Sequence, residues 1–421
     1  MAATQYISSF SELVAALADP KVSNIVLKNE VVPEKIISIH YGREVNLGGE
    51  NDCSLVRGPL AGPMLRICSG ATLTLSSRVR IDSRSSSDSA SAAVINYGSL
   101  ILQGGIISGN SSKSYGGGVL NLGRLEINEG KIEDNSAPGG SALVNFGEAV
   151  VQMAGGSIQE NRAQHDGTVA NYGQFHLRDG TISDNQVGEA GRGGGIYNQG
   201  RLEISSGSIQ YNQLDYQGQG GGIFNEGYLT ISGGNISENG ISEFGRGGGV
   251  VNFGRMAMTG GSISGNCPKY QGYGGGICNF GDLDISGGEI GNNRIDSCPE
   301  GGAGIYNDSE GKLNISGGQI RNNAVKGRSG NGGGLMNHGR LIISNDADLS
   351  RNTVEWGNGG AICNRGNLEM IGGKVSKNEV KNGLGGGIYN YRGAGFSRRN
   401  TSEITGNKAQ GRDSNVESAW F

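Results

Sequence analysis

Two carboxylates, Asp346 and Asp348, lie two residues apart in the segment SNDADLSRN. On an extended backbone that spacing puts both on one face. Paired carboxylates can divide general-acid and general-base work on a glycosidic bond. Four further acids, Glu126, Glu203, Asp284 and Glu369, sit between aliphatic residues, and Arg124, Arg201, Arg255 and Arg340 open the same kind of segment. Alternating cations and anions of this sort describe a solvated, ion-paired face before they describe a reaction centre. The four histidines, at 40, 165, 176 and 338, fall in separate segments. The six cysteines contain no CxxC pair, so neither a zinc site nor a thioredoxin-type dithiol is expected. They read as free thiols serving as small apolar side chains. Gly-Gly-Gly triplets recur, but no Lys-Ser/Thr follows them, which removes a phosphate-binding loop. No metal or cofactor is implied, and the catalytic candidates are Asp346 with Asp348 or, failing them, the acidic stripe.

The aromatic residues point to binding instead. Tyr216, Phe244, Tyr270, Tyr273 and Trp356 occupy short segments of variable length ahead of glycine-rich triplets, and Tyr197, Phe224, Tyr306 and Tyr389 follow such triplets closely. Rings flanked by Asn, Gln and Asp suit stacking on sugar rings or against a partner protein.

A repeat must position all of these groups. An Asn recurs at 96, 121, 145, 171, 198, 225, 252, 279, 307, 337, 364 and 390, in steps of 24 to 30 residues. Each copy approximates G-G-G-I-x-N-x-G-x-L-x-I-x-G-G-x-I-x-x-N, as from Gly220 to Asn239. Three short strands are predicted per copy, represented by Ile223, by the pair Leu229/Ile231, and by Ile236. Alternation with period two places these aliphatics on one face. No copy holds a helix-length periodic stretch, so each is predicted to be one rung of a parallel β-solenoid. Its aliphatics then stack on their counterparts about 4.8 Å away. Gly and Asn tolerate the sharp corners such a rung requires, and an inward Asn can hydrogen-bond along the stack, which makes the recurring Asn structural. The segment between the closing Asn and the next triplet reads as a variable turn, the edge at which solenoids carry binding. Cys278 and Cys363 take the position at which other copies place Tyr, Phe, Val or Met.

Ser9-Phe10-Ser11-Glu12 is a capping-box pattern. Phe10, Leu13, Val14 and Leu17 then line one face of a helix predicted to cover the open end of the solenoid. The expected organisation is a cap helix with irregular first rungs over 1–90, the twelve-copy region over 91–407, and a C-terminal cap or tail over 408–421, with Trp420 and Phe421 plugging the last rung. About fifteen rungs result. Composition agrees with this architecture: Gly makes up 80 of 421 residues, far above the roughly 7 % of average usage. Only seven prolines and no Gly-X-Y period exclude collagen. No apolar run is long enough for a transmembrane helix, and a net charge of −4 argues against a nucleic-acid partner. The opening MAATQYISSFSELVAAL has neither a basic n-region nor a long apolar h-region, so no secretory signal is read.

Copies such as GGGIYNQGRLEISSGSIQYN, from Gly193 to Asn212, resemble the right-handed parallel β-helix repeats of the pectin-lyase-like superfamily. They look most like the glycine-rich copies of bacterial surface and adhesin-like proteins. They are also similar to the GGA-I and F-x-x-N repeats of chlamydial polymorphic outer-membrane proteins, with Ile in place of that Phe. The resemblance implies an all-β, single-stranded, right-handed parallel β-helix. It implies a non-enzymatic surface or particle protein, extracellular, on a cell surface or in a virion, adhering to a polysaccharide, a host or cell-surface glycan, or a structural protein partner. A phage tail or fibre component is one version, for which tailspike resemblance implies a homotrimer. Two alternatives stand beside it: a polysaccharide lyase or glycoside hydrolase of that superfamily centred on Asp346 and Asp348 or on the acidic stripe of Glu126, Glu203, Asp284 and Glu369, and a structural spacer with no ligand. No C-terminal run of barrel strands is read, so self-secretion is not expected.

Overall fold

The computed structural model describes residues 3–58, 60, 62–83, 91–399 and 401–418. The plug expected at Trp420 and Phe421 lies outside the described residues. The chain forms two compact units, Met1–Val187 with Gln199–Leu202, and Gly188–Asn198 with Glu203–Phe421. Both are parallel β-solenoids, with about 14 turns in all.

In the first unit, α1 (Phe10–Ala18) is the one helix among the described residues. Ser9 Oγ accepts the Glu12 N–H at 3.3 Å, and the Glu12 carboxylate accepts the Ser8 N–H at 2.6 Å, a capping box shifted by one residue. Leu13 and Ala16 are its buried residues, against strands Ala3–Ile7 and Val22–Leu27. Phe10, Val14 and Leu17 are only partly covered. Short strands then stack in register, Ile37–Ile39 on Leu65–Ile67, Val94–Asn96, Val119–Asn121, Leu143–Asn145 and Val169–Asn171. The second and third strands of each copy run together here as ten-residue strands, for example Arg124–Glu133 and Val150–Gln159.

In the second unit the same two strands are separated by a glycine turn. Its regular copy reads Ile223–Asn225, Tyr228–Ile231 and Asn235–Ser237. The inward Ile223, Leu229, Ile231 and Ile236 are buried, and β-branched side chains fit such pleated, packed faces well. The structure also differs from expectation. The segment predicted as a variable turn begins with a fourth short strand, such as Gly240–Ile241 or Ala324–Lys326, which pairs with its counterparts in parallel. One apolar residue per copy turns inward from it, and Ile295, Val325, Val354, Val380 and Ala409 form a separate buried cluster with Cys298 and Ala303. A lone Val or Ile between polar neighbours carries no period of its own, which hides this strand in the sequence.

Two columns of buried Asn close the corners. In the first, each Nδ2 donates to the next Oδ1, from Asn198 to Asn225 at 2.7 Å and onward to Asn390. In the second, each Oδ1 accepts two N–H donors: Asn266 Oδ1 takes the main-chain N–H of Asn239 at 3.0 Å and its Nδ2 at 3.1 Å. The second column ends on Asn415, whose Oδ1 accepts Asn407 Nδ2 at 3.0 Å. There the chain turns back, with Lys408–Ala409 antiparallel to Arg412–Asp413, and Val416–Ser418 adds a last strand beside Ile388–Asn390.

Candidate functional site

The first strand of each copy, Ile-x-Asn, points Ile and Asn inward and the middle residue outward. Register stacks these middle residues in one column of the second unit: Tyr197 on Phe224 and Val251, then Cys278, Tyr306, Met336, Cys363 and Tyr389. The two cysteines thus occupy the position predicted for them, and all six cysteines are free thiols. Burial drives the Cys278 thiol well above its usual range and pushes Cys363 up to about 12. Sequence reasoning places Tyr197, Phe224, Tyr306 and Tyr389 at an accessible surface. The structure instead buries them, Tyr197 to 2 % exposure. They are covered by the residue that follows each ladder Asn and by side chains leaning over from the preceding turn.

Those covering residues complete a continuous stripe. The Arg192 guanidinium lies 4.7 Å from the Tyr197 ring centre and 5.6 Å from that of Phe224, and Tyr197 and Phe224 are themselves stacked at 5.8 Å. Phe224 meets Phe253 at 5.4 Å, and Phe253 stacks flat on Phe280 at 4.4 Å. Arg246 then bridges Phe280 and Tyr273, at 5.7 and 5.4 Å. Tyr273 contacts Tyr306 at 4.5 Å, and Tyr306 contacts His338 at 5.3 Å. His338 Nε2 is 3.2 Å from Glu300 Oε2, which is 4.0 Å from Arg365 Nη1. Arg365 covers the Tyr391 ring at 4.4 Å, and Tyr391 packs edge-on against Tyr389 at 5.0 Å. Burial lowers the His338 pKa despite Glu300, and it raises the Tyr273 and Tyr306 hydroxyls. These hydroxyls therefore stay protonated and can donate.

Tight corners hold the arginines in place. Gly247 has φ +63°, and a Cβ there would come within 2.4 Å of Val250 O, so only glycine lets the chain double back directly after Arg246. Arg192, Arg246, Phe253, Phe280, His338, Arg365 and Tyr391 were not singled out as binding residues by sequence. One signal marks most of them: the residue after each ladder Asn is aromatic or cationic at Phe253, Phe280, His338, Arg365 and Tyr391. In the first unit the same position holds Tyr97, Phe146 and Tyr172, and the last two rings lie 5.6 Å apart.

A second aromatic group lies at the surface. Tyr216 and Phe244 meet edge-on at 5.5 Å, and the Phe244 N–H donates to Tyr270 O at 2.9 Å. Tyr270 is 66 % exposed. Phe244 and Tyr270 have φ of +53° and +40°, a region that ring residues rarely occupy. Trp356 is half exposed, but strands Arg294–Asp296 and Ala324–Lys326 intervene between it and this group.

The acids separate. Asp346 is exposed in a turn, whereas Asp348 lies on strand Asp348–Ser350 between Gln319 and Lys374, its Oδ2 accepting from Ser350 Oγ at 3.2 Å. Asp284 and Glu369 share a column, with Asn314 and Ile342 between them. Arg124 pairs with Glu126 at 2.6 Å, and Arg255 and Lys312 flank Asp282 at 3.9 and 3.3 Å. Among the described residues no three His, Cys, Asp or Glu side chains converge as metal ligands, and no helix is long and apolar enough to cross a membrane. Comparison with protein-family models, curated proteins and solved structures finds no match.

Proposed function

We propose that the chain is a non-enzymatic β-solenoid whose side face binds a sugar chain, in an adhesive role of the kind its repeats resemble. The observation that carries this reading is the succession of rings and guanidinium groups from Arg192 to His338, resumed from Arg365 to Tyr389 on the far side of the Glu300 carboxylate. A sugar polymer can lie along such a stripe, its apolar C–H faces against the outer edges of the stacked Phe253 and Phe280 rings while Tyr and Arg donors meet its hydroxyls. Rigid side chains on in-register strands lose little conformational freedom on binding. Extracellular or virion location and trimeric assembly follow from the resemblance and belong to this proposal.

The test is retention of the full chain on a panel of bacterial, plant and host polysaccharides, with polymer size followed in the same samples. The expected result is binding with intact polymer, weakened about twofold to tenfold in Phe253→Ala and Phe280→Ala, since one aromatic contact contributes roughly 0.5–1.5 kcal/mol. Shortened polymer would replace this reading with the hydrolase or lyase alternative. Undiminished binding by both variants would remove the stripe as the site.

A further inference from the structure

Resting on that sugar-binding reading, the three arginines of the stripe define the chemistry of its ligand, because they are not equivalent. Arg192 Nη1 lies 3.6 Å from Glu226, and Arg365 Nη1 lies 4.0 Å from Glu300, so the protein itself compensates both charges. Arg246 is exposed, and among the described residues its guanidinium contacts two rings but forms no hydrogen bond or ion pair. Its main chain is fixed, the N–H donating to Gly218 O at 3.2 Å and the carbonyl accepting from Gly220 N–H at 2.9 Å. A guanidinium lying against Tyr273 and Phe280 keeps its edge N–H groups free, and that edge is a two-pronged donor matched to two oxygens of one oxyanion.

We propose that Arg246 anchors an oxyanion substituent, a carboxylate or a sulfate, on the bound sugar chain, so that the ligand is an anionic polysaccharide. Nucleic acid would offer rings and phosphates too. A phosphate backbone, however, needs a run of unpaired cations. Here Glu226 and Glu300 offset two of the three arginines, and Asp308 lies within electrostatic reach of Tyr273 and Tyr306. One free fork among rings fits a substituent spaced along a sugar polymer better.

Dextran, carboxymethyl-dextran and dextran sulfate share one backbone and differ in charge, so their affinities for the intact chain isolate the substituent. The expected result is about tenfold tighter binding of one or both charged polymers than of dextran, and whichever binds tighter identifies the oxyanion. Arg246→Gln should abolish that preference and Arg246→Lys should keep part of it. Arg255→Gln, the same charge loss on another face, should leave it unchanged. If Arg246→Gln binds the charged polymers as the parent does while Phe253→Ala weakens all binding, the anchor is wrong and the sugar-binding reading stands. Retention of neither charged polymer overturns the anchor, and the sugar-binding reading falls with it only if the polysaccharide panel is not retained either. Tighter binding of single-stranded DNA than of either charged dextran overturns the choice of ligand.

Discussion

Removing one amide from the second Asn column should cost far more than its size suggests. Asn266→Ala deletes the acceptor of the Asn239 main-chain N–H at 3.0 Å and of its Nδ2 at 3.1 Å, and it deletes the donor to Ile236 O at 2.9 Å and to Asn293 Oδ1 at 3.0 Å. Asn293 Oδ1 keeps a partner in the Asn266 main-chain N–H, and Asn239 Nδ2 keeps Ile209 O, so the uncompensated loss falls on the Asn239 main-chain N–H. A buried orphan N–H costs about 1–3 kcal/mol and each of the other three bonds about 0.5–1.5 kcal/mol, for a total of roughly 2.5–7.5 kcal/mol. At about 2–4 °C per kcal/mol for a unit of this size, thermal unfolding should fall by roughly 5–30 °C. Asn252→Ala in the first column should cost less. Asn252 Oδ1 serves the side chain of Asn225 rather than a main-chain amide, and the Nδ2 of Asn225 keeps Gly227 O and Arg255 O. Circular-dichroism melts of both variants beside the exposed Asn314→Ala decide the matter. An Asn266→Ala melt indistinguishable from Asn314→Ala would refute the accounting, and so would a larger loss in Asn252→Ala.

Tyr211 precedes the ladder Asn212 with φ +55°, where Asn and Asp strain the backbone less. Tyr211→Asn should therefore raise stability by about 0.5–1 kcal/mol in a denaturant titration, and an unchanged midpoint would show that the corner bears no strain. Arg321 donates to both oxygens of Glu289, at 2.9 and 2.8 Å, and these bonds hold the carboxyl below its usual range. Its contribution is present above the ordinary glutamate pKa and is lost as pH falls through the lowered value. The stability gap between parent and Glu289→Gln, small for so exposed a pair, should close in acid; a gap constant with pH would refute it. Cys278 and Cys363, buried with raised pKa values, should resist alkylation until the first-strand stack opens, whereas rapid labelling of the native chain would contradict their burial.

The solenoid was legible because its determinants are local and repeated. A single rung such as Gly220–Asn239 carries its own alternation, corners and inward Asn, and each later copy restates them. What stayed hidden depends on neighbours across turns. Tyr197 looks like a surface ring on its own strand, yet Arg192 and Phe224 bury it. The fourth strand is invisible for the same reason, since Val325 becomes core only where Val354 and Ile295 stack on it. Asp346 and Asp348 share a short segment, but a turn ends between them, so sequence spacing overstated their common face.

Function can vary on such a scaffold because each first strand separates two tasks. Asn252 and Asn279 fix the corner from inside, while Phe253 and Phe280, their immediate neighbours, project to the stripe. An outward substitution therefore alters the binding face and leaves the buried amide chain intact. At Asp308 and Arg365 the same outward position changes from rings to charges, and at His338 to an imidazole, while the ladder from Asn307 to Asn364 continues unbroken. Adjacent stripe residues touch, so their contributions will couple across neighbouring turns and add across distant ones. Paired substitution of Phe253 and Phe280 should consequently weaken binding by an amount different from the sum of the two single losses, whereas Phe253 and Tyr391, far apart along the stripe, should add.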